Sequence, residues 1–465
     1  MTIEEMDTEI LESIKAEGPE TPPARRFLPE PLSPQLLAEI FELVLISWGF
    51  YGLIYWLPRG YFFDGLVRLH AIINLFQSGT ITRMNYSYIG PFFSYPLWLL
   101  DLWNNDHRWW IERYNVFVCI AVFLFTYILL RKRMNASILR AFFLIFLFGS
   151  LYASQYRYFG GETFTSLLVG MGILIALLVS EFGGWLAVAI GVANVPACLV
   201  GAGLVTLRYM IERRRLRYAL ILVATLGVLG LANWLTRGTP FNSGYVGQTF
   251  STPFLVGLLS ILFSFGKGLL YFVPALLLPV KKSLFQAEGK NKEKIYLAYK
   301  LWMYFLAGMI LLYSSWWAWD GGWFWGPRFF LFASIPASFV LAVRLRNPSA
   351  SLRVNLLVIL LFAYTIWVSI MGGIMDNMGP LINTCMANNY AMMILCQYVP
   401  GYSVLWAPLV NHWSLPSGWR TYLAFTLCVA LYLAIPTLLA IAKQMRAVFP
   451  ACLPQVRLWL KTWRA

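Results

Sequence analysis

The chain has 465 residues, of which 59% are hydrophobic and only 12% are charged. Soluble domains carry about 25% charged residues, so this composition excludes a soluble globular protein and indicates a multi-pass membrane protein. The net charge of +15 comes from lysines and arginines in short loops between apolar runs. That distribution is typical of cytoplasmic loops and does not indicate nucleic-acid binding.

Residues 1–34 are acidic and proline-rich, which predicts a disordered cytoplasmic tail and not a signal peptide. A first membrane span follows at about residues 36–57. The next apolar run, 115–130, ends in three basic residues at 131–133. These place its end in the cytoplasm, so the polar interval between the two spans is expected to face outward.

Two further runs cross outward and back, at residues 138–152 and 165–180. The segment 184–207 has the length of one span, but a single span would put the basic segment 208–217 outside, against the positive-inside rule. Pro196 disfavours helix at the residue before it. The sequence therefore predicts two short helices that meet near Asn194.

The next predicted elements are a span at 218–235, an interfacial helix at 253–265 and a descending span from the end of that helix to Lys281. Further spans are predicted at 297–314, 329–343, 354–374 and 422–442. The predicted fold is all-α and polytopic, with about twelve membrane segments and both termini in the cytoplasm. Its predicted parts are a catalytic core of residues 35–345, C-terminal helices at 346–442 with an outer loop at 375–420, and a basic cytoplasmic tail at 443–465.

The polar interval Tyr61–Trp110 concentrates ionisable residues in a chain that is otherwise poor in charge. They include Asp64, Arg68, His70, Arg83, Asp101, Asp106 and Arg108. Such a cluster between two membrane helices indicates an active site that faces water at the membrane surface. Asp64 lies just outside the first span. Its simplest alternative role is a hydrated carboxylate that pairs with Arg68, one helical turn later.

A family resemblance is carried by residues 62–98, FFDGLVRLHAIINLFQSGTITRMNYSYIGPFFSYPLW. This stretch resembles the first outer loop of the GT-C superfamily of polyprenyl-phosphate-sugar-dependent glycosyltransferases, which includes protein O-mannosyltransferases and the lipid A aminoarabinose transferase. In those families an acidic residue, an amphipathic helix, a Ser-Gly turn and a Tyr/Pro-rich segment follow the first span. The matching positions are Asp64, Leu66–Phe76, Ser78–Gly79 and Tyr86–Pro96. A single aspartate stands where many relatives carry an acidic pair, which argues against a metal or a two-carboxylate scheme in this loop.

Further segments extend the resemblance over about residues 36–345. GGETF, with Glu162, is similar to the acidic part of the second outer loop of these enzymes. Gly191–Asn194 resembles their break between two short helices, without the basic residue that usually follows. SFGKGLLYFVP and WGPRFF, which contain Lys267 and Arg328, resemble segments near the lipid-phosphate site.

The resemblance implies a glycosyltransferase at the outer face of a bacterial inner membrane. It would transfer a sugar from a polyprenyl-phosphate donor to a glycan, lipid or protein acceptor, with inversion at the anomeric carbon. Asp64 is expected to be the general base, and Glu162 and Asp320 are the other candidate catalytic carboxylates. The expected phosphate ligands are cations near the outer headgroups, namely Lys267, Arg157, Arg328 and Arg68.

Two of these cations have particular surroundings in the sequence. Lys267 lies between glycines, which allow a close approach of backbone to a ligand; the alternative is a contact with lipid headgroups. Arg328 opens a helix, where a cation opposes the helix dipole. It therefore needs an anionic partner, either Asp320 or a ligand.

The sequence indicates no metal site and no cofactor, since it has three histidines and neither a CxxC nor an HExxH motif; a divalent cation stays open. Cys385 and Cys396 share the outer loop, where a disulfide could form. Two other functions also stay open. A transporter or flippase for a lipid-linked saccharide fits the broken helices but needs charged groups near the midplane. A non-catalytic assembly subunit needs no catalytic carboxylate.

Overall fold

The structure is a computed structural model that describes residues 33–57, 59, 63–105, 108–242, 244–245, 247–374, 379–389, 392–406 and 417–462, with the backbone alone for 448–462. Of the predicted N-terminal tail, residues 1–32 lie outside the described residues, as do residues 407–416 of the predicted outer loop. The chain divides into two units, residues 1–41 and residues 42–465. The second unit contains the candidate site and its supporting contacts.

Helices form the regular secondary structure of the described residues. The longer ones are α1 (Pro34–Tyr55), α2 (Phe63–Ser78), α3 (Tyr95–Asn104), α4 (Tyr114–Leu130), α5 (Ala136–Phe148), α6 (Gly161–Leu178), α7 (Glu181–Asn194), α8 (Leu199–Arg213), α9 (Leu220–Arg237), α10 (Phe254–Phe263), α11 (Lys292–Tyr313), α12 (Ser334–Arg346), α13 (Leu352–Ile374), α14 (Gly379–Ala387) and α15 (Ser417–Thr462). Short helical turns join them at Ile89–Phe92, Ile111–Arg113, Tyr152–Gln155, Pro196–Cys198, Leu216–Ala219, Leu269–Phe272, Pro274–Leu277, Lys282–Asn291, Arg328–Ala333, Met393–Tyr398 and Pro400–Tyr402.

Eight helical segments of the described chain are long and apolar enough to cross a membrane. They cover residues 34–55, 111–130, 161–178, 216–237, 282–313, 328–346, 352–374 and 417–447. The shorter helices α5, α7 and α8 match three more of the predicted segments, and α10 matches the predicted interfacial helix. The chain is a multi-pass, all-α membrane protein, as predicted.

Helix α6 lies in the interior of the bundle, where it packs against α4, α7 and α11. Its contact with α7 requires small residues: a Cβ added at Gly184 would lie 2.2 Å from the Ala176 backbone nitrogen. Small residues at helix contacts let backbones approach closely, which favours packing within membranes. On the side of α11, Trp302 Nε1 donates a hydrogen bond to the Gly170 carbonyl at 3.0 Å.

The predicted break between two short helices is confirmed. Helix α7 ends at Asn194, and Val195 has extended backbone angles. A short turn at Pro196–Cys198 then leads into α8. Proline disfavours the helical conformation in the residue before it, which explains why the break falls at Val195.

The predicted descending span before Lys281 is wrong. The chain forms two four-residue turns there, Leu269–Phe272 and Pro274–Leu277. A proline ring clashes with the preceding helical turn and offers no N–H, so the first turn ends at Val273. Non-helical backbone at membrane depth is tolerated where protein encloses it, and the residues on both sides of the proline are buried.

The last helix is longer than predicted, and the predicted outer loop contains helical structure. Helix α15 continues to Thr462, well past the predicted end of the span at residue 442. In its described part, the loop at 375–420 contains α14 and two short turns. A disulfide joins Cys385 to Cys396 in this loop, and both cysteines are buried.

A buried ionic group fastens the first and last helices to the bundle. The Glu42 carboxylate accepts hydrogen bonds from Arg140 Nε at 2.6 Å, from the Tyr432 hydroxyl at 2.8 Å and from Arg346. These residues lie on α1, α5, α15 and α12. Removing one partner of such a buried group typically costs about 3–5 kcal/mol, so Glu42 is expected to stabilise the bundle far more than a surface carboxylate.

Cysteine accessibility tests the predicted orientation. Single cysteines at residues 85 and 290, introduced into a chain whose exposed Cys428 is replaced, should react from opposite sides of the membrane. We expect a membrane-impermeant maleimide to label position 85 from outside and position 290 only after permeabilisation, because basic loops face the cytoplasm. Labelling of a cysteine at position 210 from outside would contradict the orientation assigned to α7 and α8.

Candidate active site

The centre of the candidate site is the carboxylate of Asp64, in the first turn of α2. A carboxylate is favourable there because the N-terminal end of a helix carries partial positive charge. Asp64 Oδ2 accepts a hydrogen bond from Arg328 Nη1 at 2.7 Å, and the two side chains are 21% and 13% exposed. Asp64 therefore pairs with Arg328 and not with Arg68, its neighbour on α2. The anionic partner of Arg328 is thus not Asp320, the residue that the sequence suggested.

A second ion pair lies one helical turn further along α2. Arg68 Nη1 and Glu162 Oε2 are 3.5 Å apart, and the Arg68 guanidinium lies 4.3 Å from the centre of the Tyr86 ring. Glu162 is in the first turn of α6, after two glycines. A Cβ at Gly161 would lie 3.3 Å from Arg68 Cζ, so the glycine leaves room for the guanidinium beside Glu162.

Tyr86 connects the two ion pairs. Its hydroxyl is hydrogen-bonded to Asp64, while its ring lies against Arg68. Burial, together with the bond to Asp64, raises the pKa of Tyr86 well above its ordinary value. The phenol is therefore protonated at every physiological pH and acts as a fixed donor to the carboxylate.

Arg237, the last residue of α9, holds the backbone that carries Tyr86. Its Nη2 donates hydrogen bonds to the carbonyls of Tyr86 at 2.9 Å, Asn85 at 3.3 Å and Met84 at 3.4 Å. The helix ends there because Gly238 adopts a left-handed conformation with φ of 80°. Sequence reasoning missed Arg237. Its one signal is its place between a span and a turn-rich outer loop.

Tyr245, in the loop after α9, was also missed. Burial raises the pKa of its phenol, and the charges of both ion pairs act on it in opposite directions. The Tyr245 side chain lines the polar cavity together with Arg68 and Glu162. A lone tyrosine in a loop gives no signal in the sequence, because only the fold brings it to the two pairs.

The pKa of Asp64 reflects competing effects. Burial alone would raise it, but the charge of Arg328 and hydrogen bonds from Tyr86 and Arg328 outweigh burial, with a smaller effect of Arg68. The pKa of Asp64 is consequently below its ordinary value of 3.8. Asp64 is therefore ionised at neutral pH, which is the state that a general base requires.

A polar cavity lies beside the ion pair of Arg68 and Glu162. Its polar wall includes Arg68, Tyr86, Glu162, Asn194, Arg237 and Tyr245. A second, mostly apolar cavity shares part of its wall, namely Glu162, Val195, Tyr313 and Phe329. Adjoining polar and apolar cavities suit a ligand with a charged head and an apolar chain.

The broken helix supplies one corner of the polar cavity. Asn194 Oδ1 accepts a hydrogen bond from the Gly90 backbone nitrogen at 2.8 Å. Its Nδ2 donates to the Gly161 carbonyl at 3.0 Å and to Thr165 Oγ1 at 3.1 Å. Asn194 thus joins the first outer loop to the start of α6. The break places Asn194 at the site, next to the residue that precedes Glu162.

Lys267, in the segment after α10, binds the loop that connects Asp320 to Arg328, and neither Lys267 nor Asp320 lines the polar cavity. Lys267 is 2% exposed, and its Nζ donates to the carbonyls of Gly322 at 3.0 Å, Gly326 at 3.1 Å and Phe324. Asp320 Oδ1 accepts from the Gly322 nitrogen at 3.2 Å. Burial lowers the pKa of Lys267 to about 7, although the charge of Asp320 opposes this.

Arg157 does not line the polar cavity but a separate pocket with Gly65 and Leu66 of α2. It is buried, its Nη1 is 3.5 Å from the Gly373 carbonyl, and its guanidinium lies 5.9 Å from the centre of the Trp419 ring. These contacts are with α13 and α15. Of the seven residues predicted for the site, the structure brings together four, namely Asp64, Glu162, Arg68 and Arg328.

The charged groups of the cavity are arranged as ion pairs and not as metal ligands. Within the described residues, no three His, Cys, Asp or Glu side chains are grouped so that they could hold a metal ion. Asp64 and Glu162 each have an arginine as the neighbouring charge. The chemistry that these residues can supply is proton transfer by a carboxylate and the binding of an anion by two guanidinium groups.

Comparisons with known proteins agree with the fold. No family model matches the sequence, and no curated protein is similar to it in sequence. Among solved structures, the chain is similar to the crystal structure of ArnT from Cupriavidus metallidurans bound to undecaprenyl phosphate, with a TM-score of 0.50 and 15% sequence identity. The similarity covers 87% of this chain and 78% of that one. The predicted all-α, polytopic fold is confirmed, and it is similar to the fold of that structure.

Proposed function

We propose that this protein transfers a sugar from a polyprenyl-phosphate-linked donor to an acceptor at the outer face of the membrane. The observation that carries the proposal is the ionised Asp64, paired with Arg328 and one helical turn from Arg68, which with Glu162 lines a polar cavity that adjoins an apolar one. The similarity to ArnT, whose structure contains undecaprenyl phosphate, supports a polyprenyl phosphate as the lipid.

Arg68 and Arg328 are the proposed ligands of the donor phosphate. Guanidinium groups bind phosphate oxygens in pairs of parallel hydrogen bonds. The donor is a phosphodiester with one negative charge, and the leaving polyprenyl phosphate carries an additional one. Fixed cations that meet this developing charge lower the barrier. A leaving phosphate therefore needs the two arginines more than it needs an acid.

Asp64 is the proposed general base. It accepts the proton of the acceptor hydroxyl while that oxygen attacks the anomeric carbon from the face opposite the phosphate. The bond between the anomeric carbon and the phosphate oxygen breaks, and its electron pair leaves with the polyprenyl phosphate. One glycosidic bond forms, one breaks, and the configuration at the anomeric carbon inverts.

The ion pair between Asp64 and Arg328 makes this base dependent on the donor. While Arg328 holds the carboxylate, the pKa of Asp64 is depressed and the group is a weak base. A donor phosphate that attracts Arg328 would release Asp64 from its strongest partner. Glu162 forms the corresponding ion pair with Arg68. The proposed role of Glu162 is to orient the donor sugar or the acceptor.

Direct transfer assays test the proposal. The purified protein in nanodiscs should bind undecaprenyl phosphate, and it should cleave undecaprenyl-phosphate-linked sugars when outer-membrane lipid, glycan and protein acceptors are supplied. Release of free undecaprenyl phosphate with inverted anomeric configuration in the product is the expected result. Movement of the intact lipid-linked sugar across proteoliposomes, without cleavage, would favour the transporter instead. Absence of both binding and cleavage would favour the assembly subunit.

A further inference from the structure

Lys267 has no N–H left for a ligand. All three protons of its ammonium group point to backbone carbonyls, those of Gly322, Phe324 and Gly326. The side chain is almost completely buried, with 2% of the residue exposed. A phosphate would have to displace one of these carbonyls from within the protein before it could contact Lys267.

The loop that Lys267 binds, residues 321–327, depends on contacts from outside for its shape. It connects Asp320 to Arg328 without regular secondary structure over most of its length. Gly321, Gly322 and Gly326 have φ of 70°, 70° and 60°, a backbone region that other residues rarely adopt. A chain with several such glycines has many alternative conformations when unfolded or loosened, so its shape depends on contacts from outside the loop.

The loop encloses Arg328 closely. The Arg328 guanidinium lies 3.8 Å from the centre of the Phe324 ring, and a Cβ at Gly321 would lie 3.0 Å from Arg328 Cγ. The carbonyl of Phe324 is one of those that Lys267 binds. The position of Arg328 therefore depends on the same peptide segment that Lys267 holds.

We propose that Lys267 is a positioning residue: it fixes the loop at 321–327 and so places Arg328 against Asp64 and, in the reaction proposed above, against the donor phosphate. This inference rests on the proposed function. It replaces the direct phosphate contact that the sequence suggested for Lys267. Lys267 acts on the ligand through Arg328 alone.

The backbone around Lys267 is itself anchored by the outer loop. The Gly266 nitrogen donates to the Gln397 carbonyl at 2.9 Å, and Ser403 Oγ donates to the Phe265 carbonyl at 2.8 Å. Gln397 follows Cys396, which the disulfide joins to Cys385. A continuous series of contacts thus leads from the disulfide loop through Lys267 to Arg328.

A double-mutant cycle separates positioning from direct contact. Lys267→Met keeps the length of the side chain and removes its donors. The dissociation constant of undecaprenyl phosphate, measured in nanodiscs, should rise at least about tenfold in Lys267→Met and in Arg328→Gln. If Lys267 acts through Arg328, the double variant should bind no more weakly than Arg328→Gln, because coupled residues are not additive. Full additivity, or unchanged affinity in Lys267→Met, would overturn the inference.

A pair of glycine variants gives a control in which Lys267 is intact. Gly321→Ala and Gly322→Ala incur similar backbone strain, since both glycines have φ of 70°. Only the new methyl group at position 321 meets Arg328, whereas position 322 has nothing within 4 Å. Gly321→Ala should weaken lipid binding as Lys267→Met does, and Gly322→Ala should weaken it less. Equal effects would contradict a role for the loop in placing Arg328.

A measurement without ligand keeps the inference testable if the proposed function fails. The thermal unfolding of Asp64→Asn, Arg328→Gln and their double variant gives the coupling between these two residues. The same cycle in a Lys267→Met background should show that coupling reduced or lost. A coupling of unchanged size would show that Arg328 reaches Asp64 without Lys267, and this outcome would contradict the inference whether or not the wild-type protein binds polyprenyl phosphate.

Discussion

Asp64→Asn is expected to lower turnover at least about 100-fold, the lower end of the effect of losing acid–base catalysis. Asparagine keeps the size and the hydrogen-bonding shape of the side chain but cannot take up a proton. Binding of the lipid-linked donor should persist, because Arg68 and Arg328 are unchanged. The measurement is single-turnover transfer from a purified lipid-linked sugar, alongside binding of undecaprenyl phosphate.

The matched control is Glu162→Gln, the other carboxylate that is paired with an arginine at the cavity. It should cost less turnover than Asp64→Asn if Glu162 only orients a substrate. Thermal stability must be measured with both variants, since each leaves a partly buried arginine without its counter-ion. Near-normal turnover of Asp64→Asn would end its assignment as the base. A Glu162→Gln or Asp320→Asn variant that is inactive instead would move the base to that carboxylate.

The pH profile is a further measure of the same carboxylate. The pKa of Asp64 lies below 3.8 in the folded protein because Arg328 and Tyr86 stabilise its ionised form. The base is therefore fully ionised above that value, and its contribution to stability is lost only as the pH falls through the depressed pKa. We expect kcat/KM of the wild-type protein to be flat between about pH 5 and 7 on this account. A loss of activity with a midpoint near pH 6 would indicate a different base.

Arg328→Gln is expected to have the second-largest effect, a fall in kcat/KM of about 100-fold or more. It removes the cation proposed to bind the leaving phosphate, and it also removes the partner of Asp64. Arg328→Lys should restore only part of the activity, since an ammonium group cannot form paired parallel hydrogen bonds. Donor affinity and turnover, measured separately, should both decrease in Arg328→Gln.

Arg157→Gln is the control for Arg328. Both arginines are buried and both were predicted from the sequence to bind phosphate, but Arg157 lies against Trp419 and the Gly373 carbonyl. Arg157→Gln should therefore reduce thermal stability and leave donor affinity close to the wild-type value. Equal losses of donor affinity in the two variants would place Arg157 at the phosphate as well.

The motifs were informative where chemistry and local backbone preference coincide. A carboxylate just after the first span, an acidic residue after two glycines and a proline after Asn194 each carry a local signal. Glu162 and the helix break lie at one cavity, and Asp64 is one helical turn from Arg68 in its wall. The sequence did not predict which charged residues form ion pairs with each other. Arg68 is one turn from Asp64, yet the partner of Asp64 is 264 positions away, because the fold brings a second guanidinium closer than the local one.

Specific contacts explain where the structure differs from the sequence-based expectations or adds to them. Lys267 between glycines has the composition of a phosphate loop, but the glycines at 321–326 aim three carbonyls at the ammonium group instead. The segment before Lys281 has the hydropathy of a span, but Pro274 divides it. Arg237 and Tyr245 act through contacts with backbone and with distant charges, for which no local pattern exists.

The charges of the two ion pairs, Asp64–Arg328 and Arg68–Glu162, sum to zero. This balance determines how the site would return to its starting state after each catalytic cycle. In the proposed reaction, Asp64 leaves the transfer step protonated, so the two arginines outnumber the carboxylates and retain the newly formed lipid phosphate. Once Asp64 gives its proton to water, the carboxylate competes again for Arg328. The polyprenyl phosphate product then loses its contact with Arg328, one of its two cationic ligands. Deprotonation of Asp64 would thus act as the step that commits the enzyme to product release.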